Sequence, residues 1–241
     1  GKRGADGVVV YDAARTVEPT HHLPIQHDIR RAVEQDELRL VYQPQIELAT
    51  GHVRSVEALL RWEHPERGML PPCEFLPAVE RSAAMGAVTE WVLRRALADC
   101  ALWTAAGHAW QVAVNVSARN LEQEGFAASV AALAAEAGIA PGQLHLEVTE
   151  TALPADLAAA SRALTELRGH GFGIALDDFG IGYASLSHLR DLPLTEVKID
   201  RAFVAGVDDN PEDREVVRSL VSLAHGLGLV VCAEGVETVD S

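Results

Sequence analysis

Several apolar, β-branched runs in this 241-residue chain each carry an oxygen-bearing side chain able to hold a cation. Glu57 lies in SVEALLRW, Asn115 in AVNVS, Glu147 in HLEVTE, Asp177 and Asp178 in IALDDFG, and Glu234 in VVCAEGVE. Parallel strands of α/β proteins end on one common face, so side chains far apart in sequence meet there. The adjacent pair Asp177 and Asp178 is the sharpest signal. Bare neighbouring carboxylates raise one another's pKa, a conflict that divalent cations remove. In two-metal sites one carboxylate commonly bridges ions about 3.5–4 Å apart, which hold the attacking and leaving oxygens of a phosphoryl displacement. Asp177 is the bridge in this reading and Asp178 the ligand to the second ion. Asp178, Phe179 and Gly180 also spell a kinase D-F-G, but no H-R-D-x-x-x-x-N loop precedes them. The nearby glycines do not follow a strand at dinucleotide-fingerprint spacing.

The elements that must position these residues follow from hydrophobic period. Leu38–Gln45 and Val53–Leu60 read as strands, and the short gap around Thr50–Gly51 forces an antiparallel hairpin, because a parallel crossover needs a dozen residues or more. Helical stretches at Glu74–Ser82, Ala87–Ala106, Phe126–Ala137, Ala155–Gly169 and Asp213–Leu227 then alternate with strands. Those strands are Val112–Val116, Leu144–Val148, Ile174–Leu176, Glu196–Ile199 and Leu229–Ala233. Such alternation predicts an α/β fold with a parallel sheet, seven strands toward a (β/α)8 barrel. Upstream, Gly7–Asp12 reads as a short strand, Thr16–Pro24 as linker, and Asp28–Gln35 as a short helix with Asp28 as its N-cap.

Composition narrows the function classes. With 48% hydrophobic residues the chain can bury one large core. Thirty-five acids against 20 bases give a formal charge of −15, which argues against a nucleic-acid polymer as partner, since polymer binding needs clustered Lys and Arg. A small anion remains compatible, because bound cations reverse the sign of an acidic pocket. Cys73, Cys100 and Cys232 show no C-x-x-C spacing and read as reduced thiols of a cytoplasmic protein. No H-E-x-x-H occurs, which disfavours zinc, and no long apolar run predicts a membrane contact.

Taken in order, the E-A-L of Glu57–Leu59 continuing to Arg61 and Trp62, then VNVS, EVTE, DDFG-x-G, KID and EGVE resemble the EAL-domain family of cyclic di-GMP phosphodiesterases. The resemblance implies a modified TIM barrel with an antiparallel first strand, and metal-dependent hydrolysis of cyclic di-GMP to linear 5'-pGpG. It implies Glu57, Asn115, Glu147 and Asp177 as ligands of one Mg2+ or Mn2+ ion, Asp177 and Asp178 on a second, and Glu234 in the same shell. Ca2+ is expected to inhibit, its larger and less rigid coordination displacing the water. Lys198 is implied to orient or deprotonate the attacking water, with its pKa lowered by the cations; Glu234 is the rival base. Arg61 is expected to grip a substrate phosphate, Gln43 to donate to the dinucleotide, Leu59 to line it, and Asp200 to stand behind the ligands. Glu150 with the loop carrying Phe179, Gly180, Gly182 and Ser185 implies coupling to a homodimer interface, with Glu237 assigned to the same group.

Each residue also has an ordinary reading. Lys198 alone would be surface charge, Asn115 a turn former or cap, and Arg61 a partner stacked on Trp62. Ile181 and Ala184 stand where the family often has Thr and Ser, which implies altered dimer coupling. Residues 1–22 resemble the tail and linker of a GGDEF domain, with the EAL domain over 23–241. The family's last helix and strand are expected beyond Ser241. The opposing function classes are a catalytically silent cyclic di-GMP receptor signalling through a dimer, and a purely structural module.

Overall fold

The computed structural model describes residues 22–150, 153, 157–180 and 186–236. The expected Gly7–Asp12 strand therefore lies outside the described residues. The first helix, α1 (His22–Glu34), begins earlier than Asp28, which sits within it rather than capping it. Its Ile29 and Ala32 are fully buried, and the helix packs on α2 (Pro72–Glu80) and α3 (Met85–Ala105).

Strands β1 (Leu38–Glu47) and β2 (His52–His64) form the expected antiparallel hairpin, in a register that sets Gln43 opposite Glu57. A short strand missed by the sequence reading, β3 (Gly68–Leu70), folds back antiparallel on the end of β2. Three residues were too few to show a period. Beyond it the sheet is parallel throughout: β4 (Gln111–Asn115), β5 (Leu144–Thr149), β6 (Gly173–Phe179), β7 (Glu196–Ile199) and β8 (Val230–Ala233). Strand order is β1-β2-β4-β5-β6-β7-β8, with β3 off this path on β2. The fold is thus a curled, mostly parallel α/β sheet with an antiparallel first strand.

Crossover helices cover one face: α4 (Ala118–Glu122) and α5 (Phe126–Glu136) after β4, α6 (Leu157–Gly169) after β5, α7 (Leu186–Asp191) after β6, and α8 (Arg201–Val204) and α9 (Pro211–Gly226) after β7. Strand alternation divides the labour. Val112, Val114, Leu144, Leu146, Ile174, Leu176 and Val197 are buried on the helical side, while Asn115, Glu147, Asp177 and Lys198 take the alternate positions on the concave side. Among the described residues no helix is long and apolar enough to cross a membrane.

The lower end of the concave side is polar as well. His145 of β5 is register partner of Gly173 on β6, and its Nδ1 lies 3.9 Å from Glu196 Oε2 on β7. Gly173 makes room for the imidazole, since a Cβ there would lie 2.6 Å from the ring. Burial, with Arg54 and Arg168 nearby, holds the His145 pKa down to about 4, so the ring is neutral in the folded chain at pH 7. An unfolded histidine titrates near 6.5, so the unfolded state binds more protons between pH 6.5 and 4, and the histidine contribution makes stability fall as pH falls through that window. Glu147, Asp178, Glu196 and Glu234, whose pKa values are raised mainly by burial, act in the opposite sense. The His145 effect is therefore isolated by difference. His145→Phe should flatten it, gaining on the parent by up to ~3 kcal/mol as pH falls from 7 to 4. Urea midpoints across that range measure it, and parallel curves for the two proteins would refute it.

Candidate metal centre

At the carboxyl ends of the parallel strands, the side chains singled out from the sequence converge on one ammonium group. Lys198 Nζ lies 3.0 Å from Glu57 Oε2, 3.0 Å from Glu147 Oε2, 3.1 Å from Asp177 Oδ1 and 2.8 Å from Glu234 Oε1. The lysine side chain is 1% exposed and so is not surface charge. Asn115 Nδ2 donates to Glu57 Oε1 at 2.9 Å, so the amide joins the cluster. The segment after it is pinned by a residue the sequence reading did not single out. Asn120 Oδ1 accepts from the Ser117 backbone N–H, the Ser117 hydroxyl and the Thr89 hydroxyl of α3, fixing the start of α4.

Two groups of acids bring ligand oxygens within 4.8 Å of one another: Glu57, Glu147 and Asp177, and Asp177, Asp178 and Glu234. Asp177 belongs to both, as a bridging ligand must. Consecutive strand residues ordinarily face opposite ways. Here the β6–β7 register slips, with Leu176 opposite Val197 but Phe179 opposite Ile199, so β6 carries one extra residue. Asp178 takes up the slack at φ +55, in the left-handed region that Asp and Asn tolerate better than most residues. Its N–H donates to Asp177 Oδ1 at 2.9 Å. Such a bulge re-aims a side chain, and it places Asp178 in the same acidic group as Asp177.

The electrostatics ask for more cation than the lysine supplies. Five carboxylates and one ammonium carry a formal charge of about −4 when all are ionised, which two divalent cations would match. The excess appears in the pKa directions. Burial first, then Glu57 and Asp177, push Glu147 well up against the opposing pull of Lys198. Burial, Asp177 and Asp200 raise Asp178, and burial raises Glu234. All these donors are hard oxygens. Cys232, register partner of Lys198, belongs to neither acidic group, and burial and then Glu196 push its thiol up to about 12. The donor set fits Mg2+ or Mn2+ and disfavours thiophilic metals.

The lysine answers to the acids around it. Burial pulls its pKa down, but Glu147, Asp177, Glu57 and Glu234 together more than offset this and raise it above the ordinary value. The side chains of the cluster thus hold Lys198 as ammonium.

Among known proteins, the EAL domain family model matches residues 26–241. This chain belongs to the EAL domain family. MucR of Pseudomonas aeruginosa, a bifunctional diguanylate cyclase/cyclic di-GMP phosphodiesterase, is 39% identical over 237 residues, covering 98% of this chain and 35% of MucR. NbdA, a cyclic di-GMP phosphodiesterase of the same organism, is 38% identical over 236 residues, covering 98% of this chain and 30% of NbdA. The EAL chain thus spans about a third of the length of these curated relatives. The structure of PaMucR phosphodiesterase in a c-di-GMP complex matches with a TM-score of 0.83 at 41% identity, over 90% of this chain and 88% of that one.

Other residues of the EAL motifs fall around the acidic cluster. Gln43, exposed, faces Glu57 across the hairpin; Leu59 pairs with Val41, and Arg61 with Arg39, on the same face. Arg61 does not stack on Trp62. Its guanidinium donates to the Leu60 carbonyl, while Trp62 is buried on the opposite face against Phe75. Asp200 is buried and N-caps α8, accepting from Ala202 N at 2.7 Å. Glu150 Oε2 accepts from Gly180 N at 3.1 Å, tying the end of β5 to the turn after Phe179. Gly182, Ser185 and Glu237 lie outside the described residues.

Removing the ammonium leaves buried acids without their cation, a change that typically costs about 3–5 kcal/mol. Lys198→Met should show a loss of that order in EDTA, and added Mn2+ should raise its Tm more than it raises the parent's. Equal metal-induced shifts in the two proteins would contradict this account of the cluster's charge. The bulge is checked separately. Asp178→Asn should keep the fold within ~0.5 kcal/mol, whereas Asp178→Val should lose ~1–2 kcal/mol because a branched residue resists positive φ. Chemical denaturation of both variants distinguishes this from a bulge indifferent to side-chain type.

Proposed function

We propose that this EAL domain hydrolyses one phosphodiester of cyclic di-GMP to linear 5'-pGpG with Mg2+ or Mn2+, through two ions. The observation that carries the reading is the pair of acidic groups sharing Asp177 at the strand ends. Its support for substrate is the naming of MucR and NbdA as cyclic di-GMP phosphodiesterases. Glu57, Asn115, Glu147 and Asp177 would hold one ion; Asp177, Asp178 and Glu234 would hold the other. Bound there, divalent ions supply Lewis acidity at the phosphoryl oxygens and a more acidic water.

The chain's own groups do the rest. Water attacks phosphorus, a new P–O bond forms, the P–O3' bond breaks, and the leaving 3' oxygen takes a proton from solvent, giving a 5'-phosphate and a 3'-hydroxyl. Glu234 takes the proton from the water. It is the most exposed of the four acids around Lys198, at 26% against 14% for Glu57, 11% for Asp177 and 1% for Glu147. Lys198 lies beneath the acids and acts by holding them together and adding positive charge under the phosphate. Arg61 on the open hairpin face grips a substrate phosphate, Gln43 donates to the dinucleotide, and Leu59 gives it an apolar wall. Asp200 keeps its place behind the ligands by capping α8. The reading extends to a homodimer coupled through Glu150, Phe179 and Gly180, and to a longer parent in which a GGDEF domain precedes residue 23.

Incubation with cyclic di-GMP and Mg2+ or Mn2+ should give linear product, and EDTA should abolish it. Asp177→Asn should lower kcat by at least about a hundredfold while the protein stays folded, since it loses a shared ligand rather than core volume. Ca2+ should inhibit. Product formation in EDTA, or Ca2+ supporting the Mg2+ rate, would overturn the two-ion reading. Tight binding without turnover by the folded domain would instead favour a silent receptor.

A further inference from the structure

Two glycines near the acidic cluster are shaped around one short helix. Gly180, two residues past Asp178, has φ +105, and a Cβ there would lie 2.5 Å from Phe203 Cε2 and 2.9 Å from its Cζ. Gly235, next to Glu234, has φ +72, and a Cβ there would lie 2.6 Å from Arg201 Cβ and 3.3 Å from Arg201 Cα. Phe203 and Arg201 both belong to α8, whose first turn is fixed by the buried Asp200 cap. Gly180 is also held from its amide side by Glu150, at 3.1 Å. The turn after Asp178 is therefore gripped between a carboxylate and an aromatic ring. The turn after Glu234 rests on the stem of the same helix.

We propose that α8 is a wedge and Phe203 a positioning residue: its ring, seated on Gly180, fixes the bulged end of β6 relative to the Glu234 turn, and so sets the geometry of the Asp177–Asp178–Glu234 group. The wedge acts on the second acidic group and leaves the Glu57–Glu147–Asp177 group to the strand ladder. This rests on the metal-site reading above. Phe203 itself touches neither ion nor substrate. Loss of a residue that orients metal ligands typically costs about 10–100-fold in metal affinity or activity.

The test uses the whole chain with Phe203→Ala and, should that variant not fold, Phe203→Leu, which keeps apolar bulk but loses the flat ring. Mn2+ titration by calorimetry or electron paramagnetic resonance should show one of the parent's two binding steps weakened by about tenfold or more in the variant, with the other nearly unchanged. Hydrogen exchange on the metal-free protein should show faster exchange in peptides covering 173–180 and 230–236, with 144–149 unaffected. Gly180→Ala should be harmful alone, and partly relieved when combined with Phe203→Ala, because the clash disappears while the strain of positive φ remains. Unchanged exchange in both peptides, or strictly additive single and double variants, would overturn the proposal. If the parent itself binds no Mn2+, the metal reading fails, and the exchange and double-variant measurements still decide whether Phe203 fixes the turn.

Discussion

The buried Lys198 ammonium among four carboxylates is the interaction on which the upper end of this sheet depends. Glu57, Glu147, Asp177 and Glu234 come from or follow four different strands, and each points to within 3.1 Å of one nitrogen. Buried ion pairs seldom add much net stability, because desolvation consumes the Coulombic gain. Their value here is positional. Without a cation at that point the four acids would repel, and strand ends that carry them would be driven apart or the acids protonated. An ammonium has three donors for four acceptors, so it gathers the cluster without satisfying it. The remaining negative charge is what makes the centre receptive to further cation.

Sheet geometry explains why the charge could be concentrated at all. Parallel ladders need cover on their faces, and the helices supply it on one side, where the outward Val, Leu and Ile residues are fully buried. The concave side is then free of core duty near the strand ends, and acids can occupy alternate positions there without leaving cavities. The chain departs from regular alternation at Asp177–Asp178, where two neighbours fall in one acidic group. The extra residue in β6 and the left-handed Asp178 break ladder regularity there and bring both carboxylates to one group.

What was legible in the sequence was local or periodic. The hairpin of β1 and β2 followed from a gap too short for a crossover, and the β-α alternation from hydrophobic period. Glu57, Asn115, Glu147, Asp177, Asp178 and Glu234 were legible because strand ends share a face, so position along a strand translates into position in space. The features that escaped depend on neighbours distant in sequence. The raised pKa of Lys198 is the sum of four acids that no window around EVKID contains. Asn120 looks like an ordinary polar residue until Thr89 and Ser117 are brought to its oxygen. Gly180 and Gly235 read as loop glycines, and only the placement of α8 reveals what a side chain would strike. Resemblance to the EAL family supplied the proposed substrate, which neither period nor charge could name.

The two acidic groups are not held in the same way. Glu57 is paired on both sides, with Gln43 on β1 and Ala113 on β4; Glu147 lies between Asn115 and Ala175; Asp177 is in register with Thr149. The first group is thus fixed by strand ladders, whose rows of hydrogen bonds resist displacement of any single residue. Asp178 sits in a bulge and Glu234 just beyond β8, anchored by its N–H to the Ile199 carbonyl. The second group therefore depends on turns, and on whatever packs against them. Asp177 joins the rigid half to the adjustable half. A displacement of the turns would leave the first group intact while altering the second, so the sheet makes the two acidic groups separable in rigidity though they share Asp177.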